Sequence, residues 1–279
     1  MNPISLAHLH VAPCRHGLMV WPRADATIGR SLERYGEFAE GENEVIARHL
    51  RPGDHAIDVG ANLGTTVLPM ARRVGKEGSV LAFEPQPLMA QCLQATLTLN
   101  ELFHVRVISG ALGQTTAWAA MPALEVDRGG NYGAVGLAKE GVPVPVFRLD
   151  EWPLTRCDFI KIDVEGHEWP VIQGAEQTLR RHRPGLYLEA KQSLPQTRLW
   201  LDALLRLGWR CYWHFAFFYR ADNFRGQPDN IFGATGDMNV LALPPERPQP
   251  VDLPEIKSAE EEWKTVYEPF FRARKLPLR

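Results

Sequence analysis

Residues 55–66 read His-Ala-Ile-Asp-Val-Gly-Ala-Asn-Leu-Gly-Thr-Thr, and the fold turns on how that stretch is taken. Its first residues have the apolar bias of a buried strand, and the Arg51-Pro52-Gly53-Asp54 turn ahead of them marks its start. Gly60 and Gly64 let the backbone turn tightly and approach a ligand with no Cβ in the way. A helical pattern runs from about Thr65 to Val74 and stops at Gly75. A strand that passes through a glycine turn into a helix leaves free N–H groups and the positive dipole end at its tip, which suits a carboxylate. The spacing is G-x-x-x-G, with Asn62 where the dinucleotide-binding fingerprint requires glycine. A side chain there crowds a pyrophosphate but not an amino-acid tail. Asp58, Gly60, Asn62, Gly64, Thr65 and Thr66 are therefore candidate ligand contacts, the plain alternative being a tight turn without a ligand.

Moving outward, short apolar runs alternate with helical patterns, as in a mostly parallel sheet covered on both faces. A second strand, 79–83, ends at Glu84-Pro85, where a carboxylate can accept both hydroxyls of a ribose. A third, 105–112, places Ser109, Gly110 and Ala111 along an adenine by position alone. Residues 113–141 are polar and glycine-rich and read as a long loop or weak hairpin. Strands four and five are 158–163 and 185–189, and a helix over about 196–207 ends at Gly208. Two last runs, 211–219 and 238–243, flank a connector without helical periodicity. A parallel crossover normally needs a helix, so the final strand is expected to be antiparallel. The expected architecture is thus α/β, a doubly wound, mostly parallel seven-stranded sheet with an antiparallel last strand. That topology separates the Rossmann-like adenosylmethionine-dependent methyltransferases of class I from all-parallel dinucleotide enzymes.

The organisation read from the chain is an N-terminal segment (1–50), a catalytic domain (51–245) and a proline-rich linker with a C-terminal helix (246–279). In the last part, Ser258-x-x-Glu261 offers a capping box, and Trp263, Val266, Tyr267 and Phe270 form one apolar stripe that either packs back on the domain or meets a second copy in a homo-oligomer. A formal net charge of −2 over 279 residues gives no basic footprint, which argues against nucleic acid. No apolar run is long enough to cross a membrane, and the N-terminus lacks the signature of a signal peptide. Four scattered cysteines, with no C-x-x-C pair, suit reduced thiols and a cytoplasmic protein.

With these motifs in view, the chain resembles the FkbM-type methyltransferases. The matching stretches are IGRSLERYGEFAEGE (28–42), PGDHAIDVGANLGTT (52–66), GSVLAFEPQP (78–87), DFIKIDVEGHE (158–168), GAEQTLRRHRPGLYLEA (174–190) and NVLALP (239–244). The pairing of FEPQP with IKIDVEGHE at this separation is the specific part. The resemblance implies S-adenosyl-L-methionine as cofactor, methyl transfer most often to a hydroxyl oxygen, and closure of Tyr35-Gly36-Glu37 over the cofactor. It does not extend past residue 246.

An acceptor hydroxyl benefits from alignment and from a general base. The fourth strand delivers Asp163, then Glu165 and His167 around Gly166; Asp163 could position the cofactor's methionine end, while Glu165 or His167 takes the proton. Glu189 and Lys191 follow the fifth strand, and His214 leads a possible acceptor wall with Trp213 and Phe215. Duller roles stay open: Glu165 and Glu168 suit helix capping, and His214 suits a packed aromatic core. Asp163, Glu165 and His167 could in principle hold a divalent ion, but no partner motif supports a metal and none is expected. The expected acceptor is a small molecule, glycan or peptide, with N-methylation of a side-chain amide as the alternative. A nicotinamide-dependent oxidoreductase and a non-catalytic adenosylmethionine-binding subunit are the rival classes.

Overall fold

The structure, a computed structural model, describes residues 4–191 and 195–273. A three-stranded antiparallel meander comes first, β1 (Ile4–Ser5), β2 (Leu9–Cys14) and β3 (Gly17–Pro22), followed by α1 (Ile28–Tyr35) and α2 (Glu40–His49). Strands and helices then alternate: β4 (His55–Val59), α3 (Val67–Val74), β5 (Ser79–Phe83), α4 (Pro87–Leu99) and β6 (Val105–Ile108). A side sheet of β7 (Ala111–Leu112), β8 (Ala117–Met121) and β9 (Val142–Phe147) interrupts them. The alternation resumes with β10 (Phe159–Ile162), α5 (Glu168–Gly174), α6 (Glu176–His182), β11 (Gly185–Glu189) and α7 (Pro195–Arg206). It closes on β12 (Arg210–Phe217), β13 (Gly236–Leu243), β14 (Glu255–Ile256) and α8 (Trp263–Ala273).

The main sheet has the order β14-β12-β13-β11-β10-β4-β5-β6. Pairs among β6, β5, β4, β10 and β11 are parallel, and β13 runs against both β11 and β12. This is the expected seven-stranded sheet with its antiparallel last strand, plus β14 added at one edge. From β4 the chain winds outward through β5 and β6, then returns to lay β10 on the other side of β4. The crevice therefore opens at the carboxyl ends of β4 and β10, the switch point where α/β sheets bind ligands.

Both faces are buried. One is covered by α2, α3, α4 and the meander through Ile46, Leu68, Leu93 and Trp21, the other by α5, α6, α7 and α8 through Ile172, Leu179, Trp200 and Phe271. The first fifty residues thus share a core with the sheet. The meander is clamped to α4 by side-chain acceptors, Thr96 Oγ1 taking the Val20 N–H at 3.1 Å and Asn100 Oδ1 that of Leu18 at 3.1 Å. All four cysteines are buried free thiols, and burial pushes those of Cys14, Cys92 and Cys157 up to about 12.

Two expectations change, and the open reading of 113–141 resolves as a hairpin. The run 105–112 is not one strand: it breaks at Ser109-Gly110, and β7 leaves the main sheet to pair with β9. The stretch 113–141 contains β8, which with β9 forms an antiparallel pair, and the intervening residues fold over the crevice. Ser258 and Glu261 bond one residue away from the capping-box pattern, with Ser258 Oγ accepting the Glu260 N–H at 3.2 Å and Glu261 the Lys257 N–H at 3.3 Å, and they close a turn ahead of the helix, which starts at Trp263. The aromatic stripe of α8 packs back on β12, with Phe271 edge-on to Phe215 at 5.1 Å. No helix among the described residues is long and apolar enough to cross a membrane.

Candidate active site

The crevice is a cavity of about 250 Å³ whose walls come from the ends of β4, β5, β10 and β11, the starts of α1 and α2, and the 131–137 loop. Its floor is the turn after β4. Gly60 has φ +81°, and a Cβ there would lie 1.8 Å from the carbonyl oxygen of Asp163, so β4 and β10 end in contact only because residue 60 is glycine. Asn62 follows at φ +49°, its own Oδ1 accepting the Leu63 N–H at 2.8 Å. The turn is fixed from the neighbouring strand: Glu84 Oε2 accepts the Asn62 N–H and Oε1 the Gln86 N–H, both at 2.7 Å. Burial pushes the Glu84 carboxyl up to about 7, against those two bonds. Each oxygen keeps a further acceptor position, the number a vicinal diol needs.

Side chains alternate across the strands, so Asp58 on β4, Lys161 on β10 and Glu189 on β11 share the face toward α2. Lys161 sits opposite Asp58 in the ladder, its ammonium 3.6 Å from Asp58 Oδ1 and 3.2 Å from Asp163 Oδ2. Burial opposes that charge, but Asp163, Asp58 and Glu42 outweigh it and hold the ammonium protonated. In return Lys161 overcomes the burial of Asp163 and keeps its carboxyl below the usual range. Glu42, from α2, is pushed up to about 8 by burial and by Asp237, and accepts a bond from Asn239 Nδ2 at 3.1 Å. Burial, reinforced by Asp163, raises Asp237 to about 7 and Glu189 to about 11. Glu189 therefore stays protonated at neutral pH.

Two buried acceptors in the cavity wall are unused. Asn43 donates through Nδ2 to Glu40 at 3.1 Å and to the Thr65 carbonyl at 3.3 Å, which leaves its Oδ1 without a partner. Glu189 Oε2 likewise accepts no hydrogen bond, although the Lys191 ammonium stands 3.3 Å away. Orphaned acceptors of this kind are costly unless a ligand completes them. Among the proton-transfer candidates, Glu165 is ion-paired to Lys191, whereas His167 lines the cavity and burial lowers its pKa, so the ring is neutral at pH 7.

Gly60, Asn62, Thr65, Thr66, Glu84, Pro85, Ala111, Asp163, Glu165, His167 and Glu189 all line this one cavity. Other candidates lie elsewhere. Tyr35 is fully buried and its hydroxyl donates to the Asp229 carbonyl at 2.6 Å, while Glu37 pairs with Arg15 at 2.6 Å and takes the Phe224 N–H at 2.7 Å; both brace the 218–235 connector instead of closing over the cavity. Asp58 lies beneath the cavity as a partner of Lys161. A Cβ on Gly64 would meet Leu93 at 2.7 Å, so that glycine serves the approach of α4. Ser109 is exposed, and Gly110 is packed under Phe147. His214 is also displaced: its Nδ1 meets the Tyr187 hydroxyl at 2.6 Å, burial lowers it to about 4, Trp213 is fully buried and Phe215 faces α8. The aromatic wall is instead Phe38 and Phe218, tilted against each other at 38° with ring centroids 4.7 Å apart.

Sequence reasoning missed Glu42, Asn43, Lys161, Asp237 and the 131–137 loop. Lys161 had a signal, a charge in the middle of the apolar strand FIKI; the others come from segments whose approach only the tertiary fold determines.

The sequence profile described as the methyltransferase FkbM domain matches residues 58–211, more than half of the chain. A carboxy-S-adenosyl-L-methionine synthase of Dichelobacter nodosus is 27% identical over 81 residues, 29% of this chain and 34% of that protein, so the match spans about a third of the relative's length. Among solved structures, methyltransferase FkbM from Methylobacillus flagellatus KT is similar at 17% identity and TM-score 0.45, covering 72% of this chain and 50% of that one. A SAM-dependent O-methyltransferase from Thermotoga maritima is similar at 16% identity and TM-score 0.49, covering 89% and 87%.

Proposed function

The chain belongs to the FkbM methyltransferase domain family, and from that membership we propose that it transfers a methyl group from S-adenosyl-L-methionine to a hydroxyl of a small molecule, sugar or natural-product scaffold in the cytoplasm. The observation that carries the reading is Glu84, each of whose oxygens holds one backbone N–H and keeps a free acceptor position, in a cavity that also holds the unused Asn43 Oδ1 and the ionised Asp163. A donor bearing both an ammonium and a sulfonium fits such walls, whereas an anionic dinucleotide does not.

In this reading Glu84 holds the ribose diol, and Ala111, Leu112 and Met121 offer an apolar slot for the adenine. The α3 end of the Gly60–Thr66 turn suits the amino acid's carboxylate, and Asn43 with Asp163 suits its ammonium. When bound, the donor supplies the electrophilic methyl. The protein's part is to align the acceptor, exclude water and receive a proton. Glu189 cannot receive it because it already carries one, and Glu165 is committed to Lys191. The neutral imidazole of His167 takes the hydroxyl proton on a ring nitrogen.

The test measures donor affinity and turnover separately. Glu84→Gln puts an amide N–H against a backbone N–H and is expected to weaken S-adenosylmethionine binding about ten- to a hundred-fold by calorimetry. His167→Gln should keep that affinity and lose about 10²–10⁴-fold in turnover of a hydroxyl acceptor. Unchanged affinity in the first variant removes Glu84 from the site; unchanged turnover in the second removes His167 as the base.

A further inference from the structure

Asp163, Glu165 and Glu189 each offer a carboxylate oxygen, and the three oxygens lie within 4.8 Å of one another. Three converging carboxyl groups are an oxygen-ligand set suited to a hard divalent ion, which on binding would displace the proton that Glu189 carries. The point between two of them is taken by Lys191, whose ammonium is paired to Glu165 and lies 3.3 Å from Glu189 Oε2. Nothing about this placement is loose. The Lys191 carbonyl accepts a bond from Thr197 Oγ1 of α7 at 2.7 Å, which fixes the chain just beyond β11. Glu165 is held at φ +54°, in a turn that Glu168 Oε1 ties down by accepting the N–H groups of Val164 at 3.3 Å and Gly166 at 3.0 Å. Glu189 is 7% exposed and cannot turn to water. The Lys191 side chain is 33% exposed and lines the cavity, so the ammonium has an N–H left for a ligand.

We propose that Lys191 is the chain's own cation at this end of the cavity: its ammonium fills the place among Asp163, Glu165 and Glu189 that a divalent ion would otherwise take, and its remaining N–H positions the acceptor oxygen. The first half concerns the donor-free protein and is independent of the methyl-transfer reading; the second half rests on it. A lysine is a compact, strongly hydrated point charge that can stand in for a metal electrostatically without the ion's demand for six or more ligands.

Removal of the ammonium is therefore expected to create a metal site. Mn²⁺ is titrated into donor-free wild type, Lys191→Met, Lys191→Gln and Lys191→Arg, and free ion is followed by electron paramagnetic resonance, with circular dichroism as the check of folding. Wild type and Lys191→Arg, which keep a cation, are expected to bind Mn²⁺ no tighter than about 1 mM, the weak end of protein Ca²⁺ sites. Lys191→Met and Lys191→Gln are expected to bind it at least about tenfold tighter. Glu189→Gln added to either neutral variant should abolish the gain, which a general loosening of the fold would not explain. Tight Mn²⁺ binding by wild type overturns the proposal, as does the absence of any gain in a folded neutral variant. Failure of the metal test leaves the calorimetric test of donor binding untouched, so the two readings fail separately.

Discussion

At the scale of single residues, the backbone departs from ordinary geometry most often around the cavity. Among the described residues, Ala39, Asn62 and Glu165, at φ +47°, +49° and +54°, line it, while Glu101 and Arg183, at +57° and +45°, end α4 and α6 elsewhere. Strain of about 1–3 kcal/mol per such residue persists where the surroundings over-determine it, which is common at functional sites. Two glycines allow a controlled comparison. Gly60 and Gly53 have similar φ, +81° and +84°, but a Cβ on Gly60 meets the Asp163 backbone at 1.8 Å while one on Gly53 meets nothing within 4 Å. Gly53→Ala is expected to cost only the backbone penalty, about 1–2 kcal/mol, whereas Gly60→Ala should cost at least about 3 kcal/mol and abolish donor binding. Equal losses in urea unfolding would show that the β4–β10 contact does not limit residue 60. Gly60 and Glu84 were legible because their chemistry is local to a strand end. Asn43 was not, because its importance lies in a buried carbonyl left without a partner where α2 meets the cavity.

Elements were legible where the hydrophobic period was strong and local. The β4, β5, β10 and β11 runs and the antiparallel β13 emerged within a residue or two of their ends. The break between β6 and β7 was hidden because the apolar run VRVISGAL continues across it, and only the pairing of β7 with β9 reveals the change of sheet. The Tyr35-Gly36-Glu37 segment shows the converse: the resemblance implies closure over the cofactor, while the hydrogen bonds of Tyr35 and Glu37 tie the segment to the 218–235 connector. At the other end of the chain, α8 covers β12 with Phe271, which is 2% exposed. Phe271→Ala should lower stability by about 3–5 kcal/mol through the void it leaves, yet donor affinity should be unchanged because α8 contributes nothing to the cavity lining. A parallel drop in donor affinity, measured by calorimetry on the folded variant, would instead couple α8 to the site.

For the molecule as a whole, the excess of buried carboxyls sets the pH response. Burial pushes Glu84 and Asp237 up to about 7, Glu42 to about 8 and Glu189 to about 11. Such groups bind more protons folded than unfolded, so the stability they contribute at low pH is lost as pH rises from the unfolded value toward the folded one. Buried neutral histidines act in the opposite sense: His49 and His214, lowered to about 4, gain stability for the fold as pH rises to their unfolded value near 6.5. Below about pH 6.5 the two sets offset each other; above it only the carboxyls remain. The donor-free melting temperature is therefore expected to fall between about pH 6.5 and 8.5, and the increment given by S-adenosylmethionine to grow over the same window, since its positive charge compensates the newly ionised acids. Calorimetric scans with a flat or rising donor-free profile there would refute this assignment of charge.

The burial of Cys14, Cys92, Cys157 and Cys211 has a practical corollary. Thiolate is the reactive form, and none of the four sulfurs offers it to solvent near neutral pH, so alkylating dyes should leave the native protein unmodified. One cysteine introduced at an exposed position such as Gly129 would then be the sole point of attachment for a fluorophore, and movement of the flanking loop could be followed without first stripping out any natural thiol.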